Sequence, residues 1–216
     1  MELMEAIRKR VSVRNFLDTP ISDDIITEML DAARLVPTPG NGQGNIIGVV
    51  KNQELKTKLA QAAGGQMWIA AAPVVFALCA DISGDLKDLP EDNFGLIVNY
   101  LRFGKEFTRD MNQYPDRKTM NKLFANGGPC LPGEHIFLTA AAHGLSACFI
   151  GYLDTEKAAE ILQLPEHIAC LFLLPVGYAA EQVDPPWKKS IEEISFVDKW
   201  EKICYTTLEI LPLRQK

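Results

Sequence analysis

Three polar residues near the amino terminus have the types and spacing that could bind an anion. Arg10, Ser12 and Arg14 alternate with Val11 and Val13. Side chains of an extended backbone point alternately to two faces, so the polar groups would share one face and the valines the other. Guanidinium groups suit phosphate oxygens or the oxygen-bearing edge of a heterocycle. The segment predicts an anion-binding face, and a solvated surface strand with ordinary salt bridges is the alternative.

A second candidate segment is the loop 37–45, whose prolines and glycines are incompatible with regular secondary structure. It would expose backbone amides together with three polar side chains, those of Thr38, Asn41 and Gln43. An ordinary turn is the alternative interpretation.

A third candidate combines a glycine with a basic pair. Gly151 follows an apolar run, and its bare backbone would let a flat ligand approach closely. Lys188 and Lys189 follow a proline-stiffened loop and could meet a phosphate. A turn glycine and a solvated lysine pair are the alternatives.

Composition limits the classes of protein that need to be considered. The 216 residues, 47% of them hydrophobic, contain no obvious linker and predict a single domain over 1–216. A net charge of -6 without a basic run argues against nucleic-acid binding. The five cysteines lack metal-like spacing, which predicts reduced thiols in a cytoplasmic protein and no metal site. No apolar run is long enough to span a membrane.

Hydrophobic periodicity predicts helices interspersed with short buried strands, packed around one sheet. The predicted helices are 3–10, 22–36 with Ser22 as the N-cap, 52–63 with Asn52 as the N-cap, 134–144 and 155–162; the predicted strands are 46–50, 73–79, 145–150 and 170–176. Residues 84–132 predict variable helices or a lid. The apolar tail 197–216 is expected to pack on another surface, such as a second subunit.

Taken together and in this order, the segments resemble the FMN-dependent nitroreductase family from about residue 3 to residue 200. The residues that carry the resemblance are Arg10-x-Ser12-x-Arg14-x-Phe16, Ala32-Ala33-x-x-x-Pro37-Thr38-x-x-Asn41-x-Gln43, Ala72-Pro73-Val74-Val75, Gly144-Leu145-Ser146-x-Cys148-x-Ile150-Gly151 and Gly177-Tyr178.

The resemblance implies an α+β fold, a mixed sheet flanked by helices, and an intertwined homodimer with one FMN at each of two interface sites. It implies cofactor contacts for Arg10, Val11, Ser12 and Arg14 at the phosphate and pyrimidine edge, Pro37, Thr38 and Pro39 from the partner subunit, Asn41 and Gln66 as polar contacts, Ile150 and Gly151 near the reactive nitrogen, and Lys188 and Lys189 at the phosphate.

The activity that the resemblance implies is the reduction of nitroaromatics, quinones or a related small electrophile by NADH or NADPH, in a ping-pong cycle. The flavin carries the chemistry, and no catalytic side chain is expected. The family's loop usually continues with proline and tryptophan where this chain has Gly44 and Asn45. This departure leaves a non-enzymatic FMN-binding or sensing protein as an alternative. Reductive dehalogenation or flavin fragmentation is another.

Overall fold

A small antiparallel sheet lies at the centre of the fold. The computed structural model describes residues 1–84 and 89–200. In this part of the chain the strands are β1 (Asn45–Val50), β2 (Val74–Asp81), β3 (Ser146–Ala147) and β4 (Ile168–Gly177), in the order β1-β2-β4-β3. Each pair of adjacent strands is antiparallel. The central strand β2 is an almost continuous apolar run, as expected for a strand covered on both faces.

Helices cover both faces of the sheet. Their bounds are α1 (Leu3–Lys9), α2 (Asp23–Arg34), α3 (Gln53–Ala62), α4 (Trp68–Ala71), α5 (Phe94–Phe103), α6 (Lys105–Asn112), α7 (Arg117–Ala125), α8 (Cys130–Ala142) and α9 (Thr155–Leu162). Residues of α2 and α8 pack with Phe76, Leu78 and Leu174 of the sheet in one core cluster. Residues of α3, α4 and α9 pack with the other face in a second cluster, which includes Val75 and Leu173. The α+β prediction is therefore confirmed.

The predicted N-caps begin α2 and α3. The Ser22 side chain accepts a hydrogen bond from the Ile25 amide, and the Asn52 side chain accepts one from the Leu55 amide. Each side chain satisfies an amide that has no carbonyl partner in the first turn. The predicted helix 155–162 agrees with α9.

Two predicted boundaries are wrong. The helix predicted at 134–144 begins four residues earlier, at Cys130, and its first turn contains Pro132. A proline is tolerated there because the first amides of a helix have no intrahelical carbonyl partner. The predicted strand 145–150 shortens to β3, because the Cys148 amide donates to Pro175, which has no N–H to return a hydrogen bond. Ile150 then rejoins the sheet in an isolated bridge to Leu173.

The described part of the segment 84–132 contains three complete helices joined by turns. It forms α5, α6 and α7, and residues 85–88 lie outside the described residues. None of the helices in the described part of the chain combines the length and the apolar character needed to cross a bilayer. The lid role stays a prediction.

The chain divides into two compact units, Met1–Val183 and Asp184–Lys216. In the second unit, α10 (Ile191–Ile194) begins with a capping box in which Ser190 and Glu193 bind each other's backbone amide. Phe196 and Trp200 then pack edge to face, with ring centroids 5.5 Å apart. Of the tail 197–216, residues 201–216 lie outside the described residues. The packing of this tail on a partner subunit stays a prediction. The organisation of residues 1–216 as a single domain also stays a prediction.

Candidate functional site

The segment Arg10–Arg14 is extended, with its side chains alternating as predicted. It leaves α1 at Arg10, whose amide still donates to Ala6, and joins the sheet where the Val13 amide donates to the Ala147 carbonyl at 3.0 Å. Ser12 forms a parallel bridge with Ala147, outside the regular antiparallel pairs. Val11 and Val13 are buried, so the three polar side chains face away from the core.

The two guanidinium groups of this face rest on aromatic rings and have no acidic partner. The Arg10 guanidinium lies 5.0 Å from the centroid of the Phe137 ring, and that of Arg14 lies 5.9 Å from the Trp68 ring. Within the described residues, no carboxylate lies within 4 Å of either group. In a chain of net charge -6, two unpaired cations flanking a hydroxyl form a local site for an anion.

Cys148 lies beside this polar face. Burial raises the pKa of the Cys148 thiol, while the positive charge of Arg14 and a hydrogen bond with Ser12 act in the opposite direction. The thiol is therefore neutral at physiological pH, and the side chain is buried. The sequence analysis includes Cys148 in the Gly144–Gly151 motif but does not predict that it lies beside Ser12 and Arg14.

Gly151 follows the bridge at Ile150 and has an open backbone. Ile150 is buried and exchanges hydrogen bonds of 2.9 and 3.1 Å with Leu173. A Cβ atom added at Gly151 would meet only the Phe172 ring, at an ordinary contact distance of 3.5 Å. Packing inside the chain therefore does not require glycine here.

The loop 37–45 folds into a short 3-10 turn over Pro39–Asn41. The Thr38 hydroxyl accepts a hydrogen bond from the Gln43 amide at 3.1 Å, so part of its predicted binding capacity is used inside the loop. Asn41 and Gln43 have φ angles of 55° and 49°. This left-handed conformation costs free energy at residues other than glycine and is concentrated at functional sites.

The loop and the Arg10–Arg14 segment lie at opposite edges of the sheet. Asn45 pairs with Ala80 and Ala80 with Ala169, whereas Ala147 pairs with Val176. From strand spacings of about 4.8 Å and a rise of about 3.3 Å per residue, we estimate roughly 30 Å between Asn45, where the loop ends, and Ser12 within one chain. Pro37, Thr38 and Pro39 lie nearer to the other end of α8 than to its residue Phe137, since they line a cavity with Leu131, while Arg10 packs on Phe137.

The other predicted residues are placed as follows. The Gln66 side chain is half-buried and donates to the Ala63 carbonyl at 2.8 Å. This hydrogen bond holds the side chain against the carboxyl end of α3. Lys188 and Lys189 are exposed in the second unit.

Three of the sequence motifs converge at Gly177. A Cβ atom added there would lie 2.6 Å from the Pro73 ring and 3.0 Å from the Phe16 ring. The Leu17 amide, one residue further, donates to the Tyr178 carbonyl. The absence of a side chain at Gly177 therefore lets the Arg10–Phe16 segment pack against the start of β2 and the end of β4.

An α+β sheet of this topology, with a cationic segment added beyond β3, is the architecture of a flavin-type oxidoreductase family. The sequence model of the Nitroreductase family matches residues 7–178, and the chain belongs to that family. The family resemblance predicted from the sequence is confirmed.

Individual relatives cover most of the chain. A Thermus thermophilus protein named NADH dehydrogenase is 28% identical over 194 residues, which are 90% of this chain and 95% of the relative. A Bacillus subtilis FMN reductase [NAD(P)H] is 32% identical over 188 residues, 84% of this chain and 67% of that protein. The solved structure of NfrA1 from B. megaterium is similar with a TM-score of 0.69 and 26% identity, over 92% of this chain and 75% of that one.

Proposed function

We propose that this protein is an FMN-dependent oxidoreductase that uses NADH or NADPH to reduce nitroaromatics, quinones or a related small electrophile. The observation that carries the proposal is the pair of guanidinium groups of Arg10 and Arg14, which flank Ser12 on one face and have no acidic partner among the described residues. Family membership and the FMN reductase among its relatives support the same conclusion.

The side chains on the Arg10–Arg14 face and the backbone at Gly151 fit the chemistry of FMN. Arg10, Ser12 and Arg14 would bind the phosphate and the oxygen-bearing edge of the ring. The bare backbone at Gly151 would approach the ring closely. Bound FMN would supply two-electron transfer from the nicotinamide to an acceptor. The chain's own residues would orient the ring and stabilise the negative charge that it gains on reduction.

We propose that two copies of the chain build each site. The loop that contains Pro37, Thr38, Pro39 and Asn41 ends at Asn45, at the edge of the sheet opposite to Arg10–Arg14, and these residues would line the FMN of the partner subunit. The exposed apolar residues Leu3, Met4 and Ile7 of α1 offer a surface for that partner. Both observations support the proposal of an intertwined homodimer with two FMN sites.

A non-enzymatic FMN-binding or sensing protein is the second candidate. It is considered because Gly44 and Asn45 stand in the loop where the family usually has a proline and a tryptophan. The absorption spectrum of the freshly purified protein, followed by turnover of NADH and NADPH with several acceptors, tests both functions. An enzyme is yellow and oxidises the nicotinamide only when an acceptor is present. Bound flavin without turnover favours the sensor, and a colourless protein that FMN does not reconstitute contradicts both.

A further inference from the structure

A cavity of about 510 Å³ lies where the end of β2 meets α5 and α7. This volume is within the range of pockets that hold small organic ligands. The aromatic rings of Phe94 and Phe124 contribute to its lining, and both are exposed. Rings of this kind offer flat apolar surfaces on which an aromatic ligand can stack.

Arg102 places a positive charge in the lining of this cavity. Its guanidinium lies 4.9 Å from the centroid of the Phe103 ring, and within the described residues no carboxylate lies within 4 Å of it. Asp81 also lines the cavity, but its carboxylate accepts a hydrogen bond from the Ser83 amide at 2.8 Å. The cavity is therefore lined by aromatic surface, by the carboxylate of Asp81, and by a guanidinium that has no ion-pair partner among the described residues.

The cavity adjoins the loop 37–45. Pro39 and Gly40 line it, and a neighbouring cavity of about 320 Å³ shares Pro39, Asp81 and Phe124 with it. The loop is the segment that the proposed homodimer brings to the FMN of the partner subunit. A ligand in this cavity would thus lie beside the redox site, and the inference below rests on the proposed function.

We infer that Arg102 is a specificity-determining residue, which selects aromatic substrates that carry an anionic group. A guanidinium donates paired, charge-assisted hydrogen bonds to a carboxylate, sulfonate or phosphate. The aromatic part of the substrate stacks on Phe94 or Phe124. The anionic group belongs either to the electron acceptor or to the nicotinamide dinucleotide, since both visit the same site in a ping-pong cycle.

A purely structural role for Arg102 makes a different prediction. Arg102 lies in the last turn of α5, where a cation interacts favourably with the helix dipole. In that case its replacement changes the melting temperature slightly and leaves every Michaelis constant unchanged.

The test compares the holoenzyme with Arg102→Gln, Arg102→Lys and the control Arg109→Gln. Arg109 lies on α6, where its guanidinium is paired with Glu91 at 2.9 Å, and it does not line the cavity. Steady-state kinetics are measured with 4-nitrobenzoate and with its neutral analogue 4-nitrobenzamide. The same proteins are compared with NADPH, which carries an additional phosphate, and with NADH.

The expected result is a rise of about tenfold in KM for 4-nitrobenzoate or for NADPH in Arg102→Gln, as the loss of one charge-assisted hydrogen bond predicts. KM for 4-nitrobenzamide and for NADH stays unchanged, Arg102→Lys retains part of the preference, and Arg109→Gln behaves like the parent. Which of the two charged substrates responds identifies the source of the anion.

Two results overturn the inference in distinguishable ways. Equal effects of Arg102→Gln on charged and neutral substrates, or none on either, contradict the specificity role while the proposed function stands. A protein that oxidises neither nicotinamide with these acceptors or with a quinone contradicts the proposed function itself.

Discussion

At the scale of single residues, Arg14 offers the most direct test of FMN binding. Its guanidinium packs over Trp68 without an acidic partner among the described residues. Arg14→Ala is expected to weaken FMN binding by about tenfold or more, since hydrogen bonds to charged groups contribute about 1.5–3 kcal/mol. It should also lower the midpoint potential of the flavin, because positive charge near the reduced ring is lost. If Arg14 stabilises the reduced flavin over the oxidised flavin by about 1.4 kcal/mol, its loss lowers the midpoint potential by about 30 mV, since the couple transfers two electrons.

Lys58→Ala is the control for Arg14→Ala. It removes the same unit charge from α3, where Lys58 is paired with Glu54. FMN titration and potentiometry of both variants separate a local contact from a change in net charge. A potential that stays constant or rises in Arg14→Ala shows that Arg14 does not contact the ring.

Gly177 is expected to be required for stability, and Gly151 for cofactor binding. Gly177→Ala places a methyl group 2.6 Å from the rigid Pro73 ring, so we expect a loss of about 1–3 kcal/mol in the free energy of unfolding. Gly151→Ala, the matched control, makes only an ordinary contact with Phe172. It should unfold like the parent without FMN and bind FMN more weakly.

Urea denaturation of the FMN-free proteins and FMN titration distinguish the two glycines. Equal stability of Gly177→Ala and the parent contradicts the packing role of Gly177. Unchanged FMN affinity in Gly151→Ala contradicts the close approach of the ring.

At the scale of elements, Glu156 connects α7 to α9. It forms ion pairs with Lys118, at 2.7 Å, and with Lys122, and these hydrogen bonds lower the pKa of the Glu156 carboxyl. A carboxyl whose pKa is lowered by folding stabilises the protein above its ordinary pKa of 4.5, and this contribution is lost as the pH falls through the folded value. Because the side chain is more than half exposed, we expect Glu156→Gln to cost only about 0.5–1 kcal/mol at pH 7.

The measurement for Glu156→Gln is urea denaturation at pH 7 and at several values below 4.5. The parent should lose stability more steeply with acid than the variant does. Glu54→Gln, which removes a carboxylate from an exposed pair within α3, is the control and should cost less. An equally steep acid dependence in Glu156→Gln and the parent would show that the pair does not hold α7 in place.

The elements that could be predicted from the sequence are those that depend on local signals. Ser22 and Asn52 begin helices because their side chains bind amides three residues away, which a sequence displays directly. The end of β3 could not be predicted, because it depends on pairing with Pro175, nearly thirty residues along the chain. The short helix α4 was also missed, since four residues carry too little periodicity.

In the candidate site, too, the features that depend on local sequence were predicted, and those that depend on distant residues were not. Alternation of polar and apolar residues predicted the face of Arg10, Ser12 and Arg14, which the burial of the two valines confirms. The aromatic rings of Trp68 and Phe137 under the guanidinium groups were not predicted, because they come from distant helices. The internal hydrogen bond of Thr38 depends on a left-handed backbone at Asn41 and Gln43, which no local pattern specified.

At the scale of the whole molecule, α1 connects the proposed assembly to the proposed cofactor site. The helix packs on α8 through Ala6, which is buried, while Leu3 and Ile7 stay 64% and 40% exposed in one chain. The helix leads directly into Arg10, so a partner that covers its apolar face would also fix the start of the cationic segment. Assembly and FMN binding should therefore be lost together.

Ile7→Asp is expected to dissociate the homodimer, because burial of an unpaired carboxylate in an apolar interface is strongly unfavourable. Sedimentation velocity over a range of protein concentrations measures the assembly, and absorbance of the flavin measures its retention. Gln61→Asp introduces the same charge on the exposed side of α3 and should leave both unchanged. Since the loop ends at Asn45, roughly 30 Å from Ser12 within one chain, and is proposed to reach the FMN of the partner subunit, the dissociated protein should lose FMN as well. A monomer that keeps its flavin would show that a single chain completes the site, and the loop would then need another function.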